Sequence, residues 1–129
     1  MKRRLFFLFL SILALTGCTS GKTPDSAGYV CITAQQAKEI IDTQDDYVIL
    51  DAREVSEYEQ GHIPGAIVIS YEEIKEKAAS ALPDKNQLIL VYCRSGRRSK
   101  LAAQDLADLG YTNVKEFGGI IDWPYEVVE

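Results

Sequence analysis

The sequence predicts an α/β domain, a central parallel sheet of about five strands with helices on both faces. Short apolar runs of strand type alternate with segments of helical periodicity. The strand runs, such as Leu88-Ile89-Leu90-Val91, are continuously apolar and do not alternate with polar residues, the pattern of strands covered on both sides. No internal repeat divides the region, so a single core of ordinary domain size is expected.

The elements follow in order. Residues 29–32 read as a first strand. Thr33 with Gln36 makes a capping box for a helix that sets Ala37, Ile40 and Ile41 on one face. Residues 47–50 form a continuous apolar strand, and residues 54–60 a short helix stopped at Gly61. A third strand covers 66–69, after which Ser70 with Glu73 caps another helix. Pro83-Asp84-Lys85-Asn86 is a turn before the strand that ends at Cys93. The helix from about Arg98 aligns Ala102, Leu106 and Leu109, and Gly110 ends it. A fifth strand is expected over 114–117.

The N-terminal residues stand apart from this pattern. Lys2-Arg3-Arg4 is a basic start, followed by an apolar run from Leu5 to Leu15, short for a bilayer span. Leu15-Thr16-Gly17-Cys18 resembles a lipobox, the bacterial signal at which lipid is attached to the cysteine before cleavage. That resemblance implies a signal peptide over 1–17, a lipidated Cys18 with a flexible tether over 18–28, and the folded domain over 29–129. Lipid attachment at Cys18 would place the domain outside the cytoplasm, anchored to a bacterial membrane. An ordinary secretory signal or an uncleaved anchor helix is the alternative. Residues 19–28, rich in Thr, Ser, Gly, Pro and Lys, carry no apolar periodicity.

The chain holds 14 Lys and Arg against 19 Asp and Glu. Without Lys2, Arg3 and Arg4 that becomes 11 against 19, a formal charge of −8. So acidic a domain is a poor partner for nucleic acid or for anionic lipid headgroups. Arg94, Arg97, Arg98 and Lys100 form a local exception. Cations are disfavoured at a helix N-terminus, so a small anionic ligand accounts for them better than a solvated helix start. No Cys-x-x-Cys pair or His cluster suggests a metal, and no cofactor is implied. Besides Cys18 there are two thiols, Cys31 and Cys93. Cys31 is expected to pack in the core, although an exported chain leaves a Cys31–Cys93 bridge open.

Cys93 is the candidate nucleophile. A buried strand holds it, Gly96 lets the backbone curl so that N–H groups converge, and the next helix directs its positive end to the same place. A thiol in such a cradle has a lowered pKa and needs no neighbouring base. The alternative is a packed strand-end cysteine. Asp51 and Arg53, at the end of another apolar strand, either brace the loop after Cys93 or simply pair with each other while Asp51 caps the next helix. His62 reads as a turn residue, and Trp123 with Tyr125 as core and edge packing.

Cys93-Arg94-Ser95-Gly96-Arg97-Arg98-Ser99 resembles the active-site loop of the rhodanese-like domain of single-domain sulfurtransferases. Asp51-Ala52-Arg53-Glu54 is similar to that family's Asp-x-Arg element, and Glu57-Tyr58 with Gly61-His62-Ile63-Pro64-Gly65-Ala66 to its central motif. Phe117-Gly118-Gly119-Ile120 and Trp123 are similar to its C-terminal segment. The matches occur in family order across residues 29–125. The resemblance implies a rhodanese-like fold and sulfane-sulfur transfer through a persulfide on Cys93. A small anionic donor such as thiosulfate would bind over Arg94, Ser95, Gly96, Arg97, Arg98 and Ser99, and a thiol or cyanide would accept the sulfur. A monomer is expected.

Two rivals remain at this stage. Protein phosphatases and arsenate reductases also use a cysteine in an N–H cradle, but they place Arg after five intervening residues, where this chain has Ser99. Arg98 follows Cys93 after four, the shorter loop that among rhodanese relatives accompanies sulfur substrates. The other rival is a non-catalytic rhodanese-like binding module, which usually lacks the cysteine.

Overall fold

The computed structural model describes residues 28–129. The expected signal peptide, Cys18 and the tether up to residue 27 lie outside the described residues. Five strands form one sheet: β1 (Val30–Cys31), β2 (Tyr47–Asp51), β3 (Ile67–Val68), β4 (Leu88–Cys93) and β5 (Val114–Gly119). Their order across the sheet is β1-β5-β4-β2-β3, and every pairing is parallel. Parallel neighbours need crossovers, and four helices supply them: α1 (Ala34–Thr43), α2 (Val55–Gln60), α3 (Ile74–Ala81) and α4 (Arg97–Asp108).

β4 lies at the centre, flanked by β5 and β2, and all six of its residues are buried. Strand parity divides them. Ile89, Val91 and Cys93 join Ala102, Ala103 and Leu106 of α4 and Ile74 and Ala78 of α3 in one apolar cluster. Leu88, Leu90 and Tyr92 face the other way, against Ala37, Phe117 and Trp123. The helices therefore cover both faces, as the continuous apolar strands require.

Most local signals are realised. Thr33 and Gln36 form the reciprocal capping box of α1, at 3.1 and 2.9 Å. Gly61 ends α2, and Gly110, at φ +94°, follows α4. The outer strands β1 and β3 have two residues each, shorter than expected, because an edge strand is paired on one side only. The Ser70–Glu73 capping box does not form. Ser70 Oγ donates instead to Glu54 Oε1 at 2.9 Å, and Tyr71–Glu73 make a 3-10 turn before α3 starts at Ile74. A carboxylate acceptor makes the stronger, charge-assisted bond.

Cys31 is not a core residue. It sits in the edge strand β1 and is exposed, and both it and Cys93 are free thiols. β5 separates β1 from β4, so the two strands lie about 9.5 Å apart, beyond the Cα separation of ~7 Å that a disulfide spans.

Candidate active site

Burial of β4 on both faces delivers Cys93 to the carboxyl end of the central strand, the end at which open α/β sheets bind ligands. Residues 94–96 then turn the chain, and α4 begins at Arg97, one residue earlier than expected. Gly96, at φ +103°, makes this turn possible, since that backbone conformation strains any residue with a Cβ. Across the site β5 carries one residue more than β4 between the pairs Val91–Glu116 and Cys93–Gly119. This irregularity brings Gly119 so close to the loop that a Cβ there would collide with the Arg94 carbonyl.

The sulfur is held by polar contacts. Gly96 N–H donates to Cys93 Sγ at 3.0 Å, and the Cys93 thiol donates to Ser99 Oγ at 3.3 Å. Burial by itself pushes the thiol up. Once the sulfur is ionised, the Ser99 hydroxyl and the backbone of Ser99, Gly96 and Ser95 can hydrogen-bond to it, and these bonds outweigh burial, so the thiol rests below the usual cysteine range.

The loop arginines divide into two kinds. Arg98 gives Nη1 to Glu57 Oε2 at 2.6 Å and Nη2 to Glu57 Oε1 at 2.8 Å, which fastens the start of α4 to α2. Those bonds hold the Glu57 carboxyl at about 2. Arg94 and Arg97 are exposed, and among the described residues no carboxylate pairs with either. Arg94 borders a cleft of about 480 Å³ shared with Arg53, Ile120 and Val127. Arg97 borders another, of about 630 Å³, with Lys100, Tyr29 and Leu101. Ser95 is exposed beside them.

Asp51 and Arg53 form a buried unit beneath this surface. Asp51, fully buried, accepts from Arg53 Nε and Nη2, from Arg53 N–H, and from Tyr92 Oη at 2.8 Å. Arg53 Nη2 also reaches the Gly61 carbonyl. Of the two expectations for Asp51, pairing with Arg53 is realised. Asp51 makes no hydrogen bond to residues 94–99, and Glu54 rather than Asp51 stands at the N-cap of α2. His62 stacks on Tyr58 at 3.7 Å, and its Nδ1 meets the Tyr58 carbonyl, far from the sulfur in role and contacts. Trp123 is buried against Phe117 and Tyr125. Among the described residues no His, Cys, Asp and Glu cluster is built to hold a metal ion.

One residue of the site was not anticipated. Glu116 is only 2 % exposed, and its Oε1 accepts from Ser99 Oγ and from Gly118 N–H, both at 2.7 Å. Its signal in the sequence is a carboxylate two residues after Val114, on the inward parity of an apolar strand. The partnership of Glu57 with Arg98 joins residues 41 apart and left no local signal.

Comparison with known proteins gives a consistent result. The family model "Rhodanese-like domain" matches residues 33–124. Thiosulfate sulfurtransferase PspE of Escherichia coli is 45% identical over 73 residues, covering 57% of this chain and 70% of that protein. Thiosulfate sulfurtransferase GlpE of Coxiella burnetii is 34% identical over 96 residues, covering 74% and 87%. Among solved structures, a rhodanese with anions from E. coli superposes with a TM-score of 0.61 at 41% identity, over 64% of this chain and 98% of that one.

Proposed function

The chain belongs to the rhodanese-like domain family, and from that premise we propose that it is a sulfurtransferase that carries sulfane sulfur on Cys93. The observation that carries the reading is the seat of the sulfur. Cys93 Sγ lies under the Gly96 N–H, inside a Cys-to-Arg loop of six residues whose Arg98 is tied back to Glu57.

In the first half-reaction the Cys93 thiolate attacks the outer sulfur of thiosulfate or of a persulfide donor. The S–S bond of the donor breaks, and sulfite, or the donor thiolate, leaves with the electron pair. Cys93 now bears a persulfide, whose terminal sulfur is partly negative. Backbone N–H groups of the loop stabilise that charge as an oxyanion hole would. An acceptor thiolate or cyanide then attacks the terminal sulfur, and the electrons of the S–S bond return to Cys93. Two half-reactions with a covalent intermediate imply ping-pong kinetics. Arg94 and Arg97, exposed and without carboxylate partners among the described residues, draw the anionic donor to the loop.

Phosphoryl or arsenate chemistry fits less well. Arg98 is already clasped by Glu57, and the next position is Ser99, whose hydroxyl is turned to Glu116. Neither is free to grip a tetrahedral oxyanion. The names of the PspE and GlpE relatives support thiosulfate as the class of donor.

Incubation with thiosulfate should add one sulfur atom to the Cys93 peptide, and cyanide should release it as thiocyanate. Cys93→Ser should lose both. Retained sulfur transfer in Cys93→Ser, or hydrolysis of p-nitrophenyl phosphate or reduction of arsenate by wild type without sulfur transfer, would overturn the proposal.

A further inference from the structure

Glu116 has a chemistry that the sulfur-transfer steps leave unused. It is a buried carboxyl, and among the described residues no cation forms an ion pair with it. Its Oε1 receives the Ser99 hydroxyl at 2.7 Å. Ser99, fully buried, is the group to which the Cys93 thiol donates at 3.3 Å. A serine hydroxyl has one proton and two lone pairs. Other acceptors lie near it, the Gly96 carbonyl at 3.0 Å and the Gly118 carbonyl at 3.4 Å, but the carboxylate is the nearest and the most strongly accepting. The hydroxyl proton therefore points to Glu116 and a lone pair faces the thiol. The result is one continuous line from sulfur through oxygen to carboxylate.

We propose that Glu116, acting through Ser99, receives the proton that Cys93 must lose to become a nucleophile. This rests on Cys93 being the sulfur carrier. The S–H bond of Cys93 breaks and its proton passes to Ser99 Oγ, while the Ser99 O–H proton passes to Glu116 Oε1. Afterwards Ser99 donates to the thiolate and the neutral Glu116 donates to Ser99. The site holds one negative charge before the transfer and one after it. Loss of the same proton to solvent would leave two anions on either side of a single buried hydroxyl, a like-charge pair that a low-dielectric site penalises. Glu116 is thus a positioning residue for the thiol proton.

The surroundings fit this use. Cys31 in β1 and Tyr29 just before it face Glu116, Ser99 and Lys100 stand on α4, and Cys93 ends β4, where the charge of Arg98 is also felt. Burial, and after it the neighbouring charge of Glu116, pushes the Cys31 thiol up, and burial with Cys31 and Glu116 does the same to Tyr29. Both stay protonated near neutrality and add no third anion. Lys100 acts on Cys31, which it pulls down.

The test is the pH dependence of iodoacetamide alkylation at Cys93 in the full chain, read on the Cys93 peptide by mass spectrometry. In wild type the rate should rise in two steps, one in the acid range as the pair loses its first proton and a second as the shared proton leaves. In Glu116→Gln the acid step should vanish, so that alkylation at mildly acidic pH falls about tenfold, the equivalent of one pKa unit. The limiting alkaline rate should be unchanged, because there the thiolate is fully formed in both proteins. A carboxylate that is only a neighbouring charge predicts the opposite, since its removal eases ionisation and speeds alkylation in acid. Faster or equal alkylation in acid, or a slowing that is the same at every pH, would overturn the inference. Should Glu116→Gln not fold, a single step in wild type would overturn it as well. Alkylation reads the thiol and not the transfer. A chain that moves sulfur with a one-step profile defeats this inference alone, and one with two steps but no transfer defeats the proposed function alone.

Discussion

Arg98 clasps Glu57 with both terminal nitrogens, at 2.6 and 2.8 Å. Of the three arginines in the loop it is the one whose charge is already neutralised by protein. The fork-to-fork geometry fixes where α4 starts relative to α2, and with it the position of the Gly96 N–H over the sulfur. Bracing is thus given to Arg98, while Arg94 and Arg97 stay exposed.

The Glu57–Arg98 pair should stabilise the fold in a pH-dependent way. Glu57 is held at about 2 in the fold against an ordinary value of 4.5. A depressed carboxyl contributes fully above its unfolded value and loses that contribution as pH falls through the folded one. Glu57→Gln should therefore cost ~0.5–1 kcal/mol near neutrality, the scale of a partly exposed ion pair. The difference from wild type should shrink below pH 4.5 and vanish only once pH falls below about 2. Urea unfolding at a series of pH values measures it, and a difference that ignores pH would refute it.

Arg94 and Arg97 should act on binding of the anionic donor. Losing one charge-assisted contact weakens binding by about 1.5–3 kcal/mol. Arg94→Ala or Arg97→Ala should raise KM for thiosulfate accordingly. Exposed charges are screened by salt, so wild-type KM should also climb with ionic strength, and less steeply in the variants. Steady-state kinetics across a salt series decides this. Unchanged KM in both variants would make the two arginines bystanders.

Cys18 should be the first residue of the mature protein and should carry lipid, a proposal that rests on the basic start, the apolar run and Leu15-Thr16-Gly17-Cys18. The rhodanese-like domain would then lie on the outer side of a membrane, held close to its surface by a short tether. Labelled fatty acid should enter the native protein and not Cys18→Ala, and membrane fractions should contain the former. A mature N-terminus elsewhere, or a wholly soluble native protein, would count against it. Among the described residues no helix is long and apolar enough to cross a membrane.

Local signals in the chain set most of the architecture. The apolar run ending at Cys93 could be satisfied only by burial on both faces, which makes β4 central and its end the place for a site. Thr33 with Gln36, Gly61 and Gly96 act within a few residues of themselves, so their effect is readable without the fold. Ser70 carried an equally clear local signal, and the fold overrode it, because Glu54 arrived from 16 residues away as a better acceptor. The exposure of Cys31 has a related cause. Strand composition says that a residue is in a sheet, but not whether the strand lies at its centre or its edge.

The sequence alone determined the parallel α/β class, the six-residue loop from Cys93 to Arg98 and the family. Each depends on residues adjacent in the chain or on motifs in a set order. Only the tertiary structure decided which arginine braces and which stay exposed, that Asp51 serves Arg53 and Tyr92 instead of the loop, and that Glu116 stands behind Ser99. Apart from Asp51 with Arg53, two residues apart, these are choices among partners 17 to 41 residues apart, made by strand order and by the extra residue in β5 that lays Glu116 and Gly119 against the loop. Hydrogen-bonding groups take whichever partner folding brings within about 3 Å, and that distance is set by packing, not by spacing along the chain.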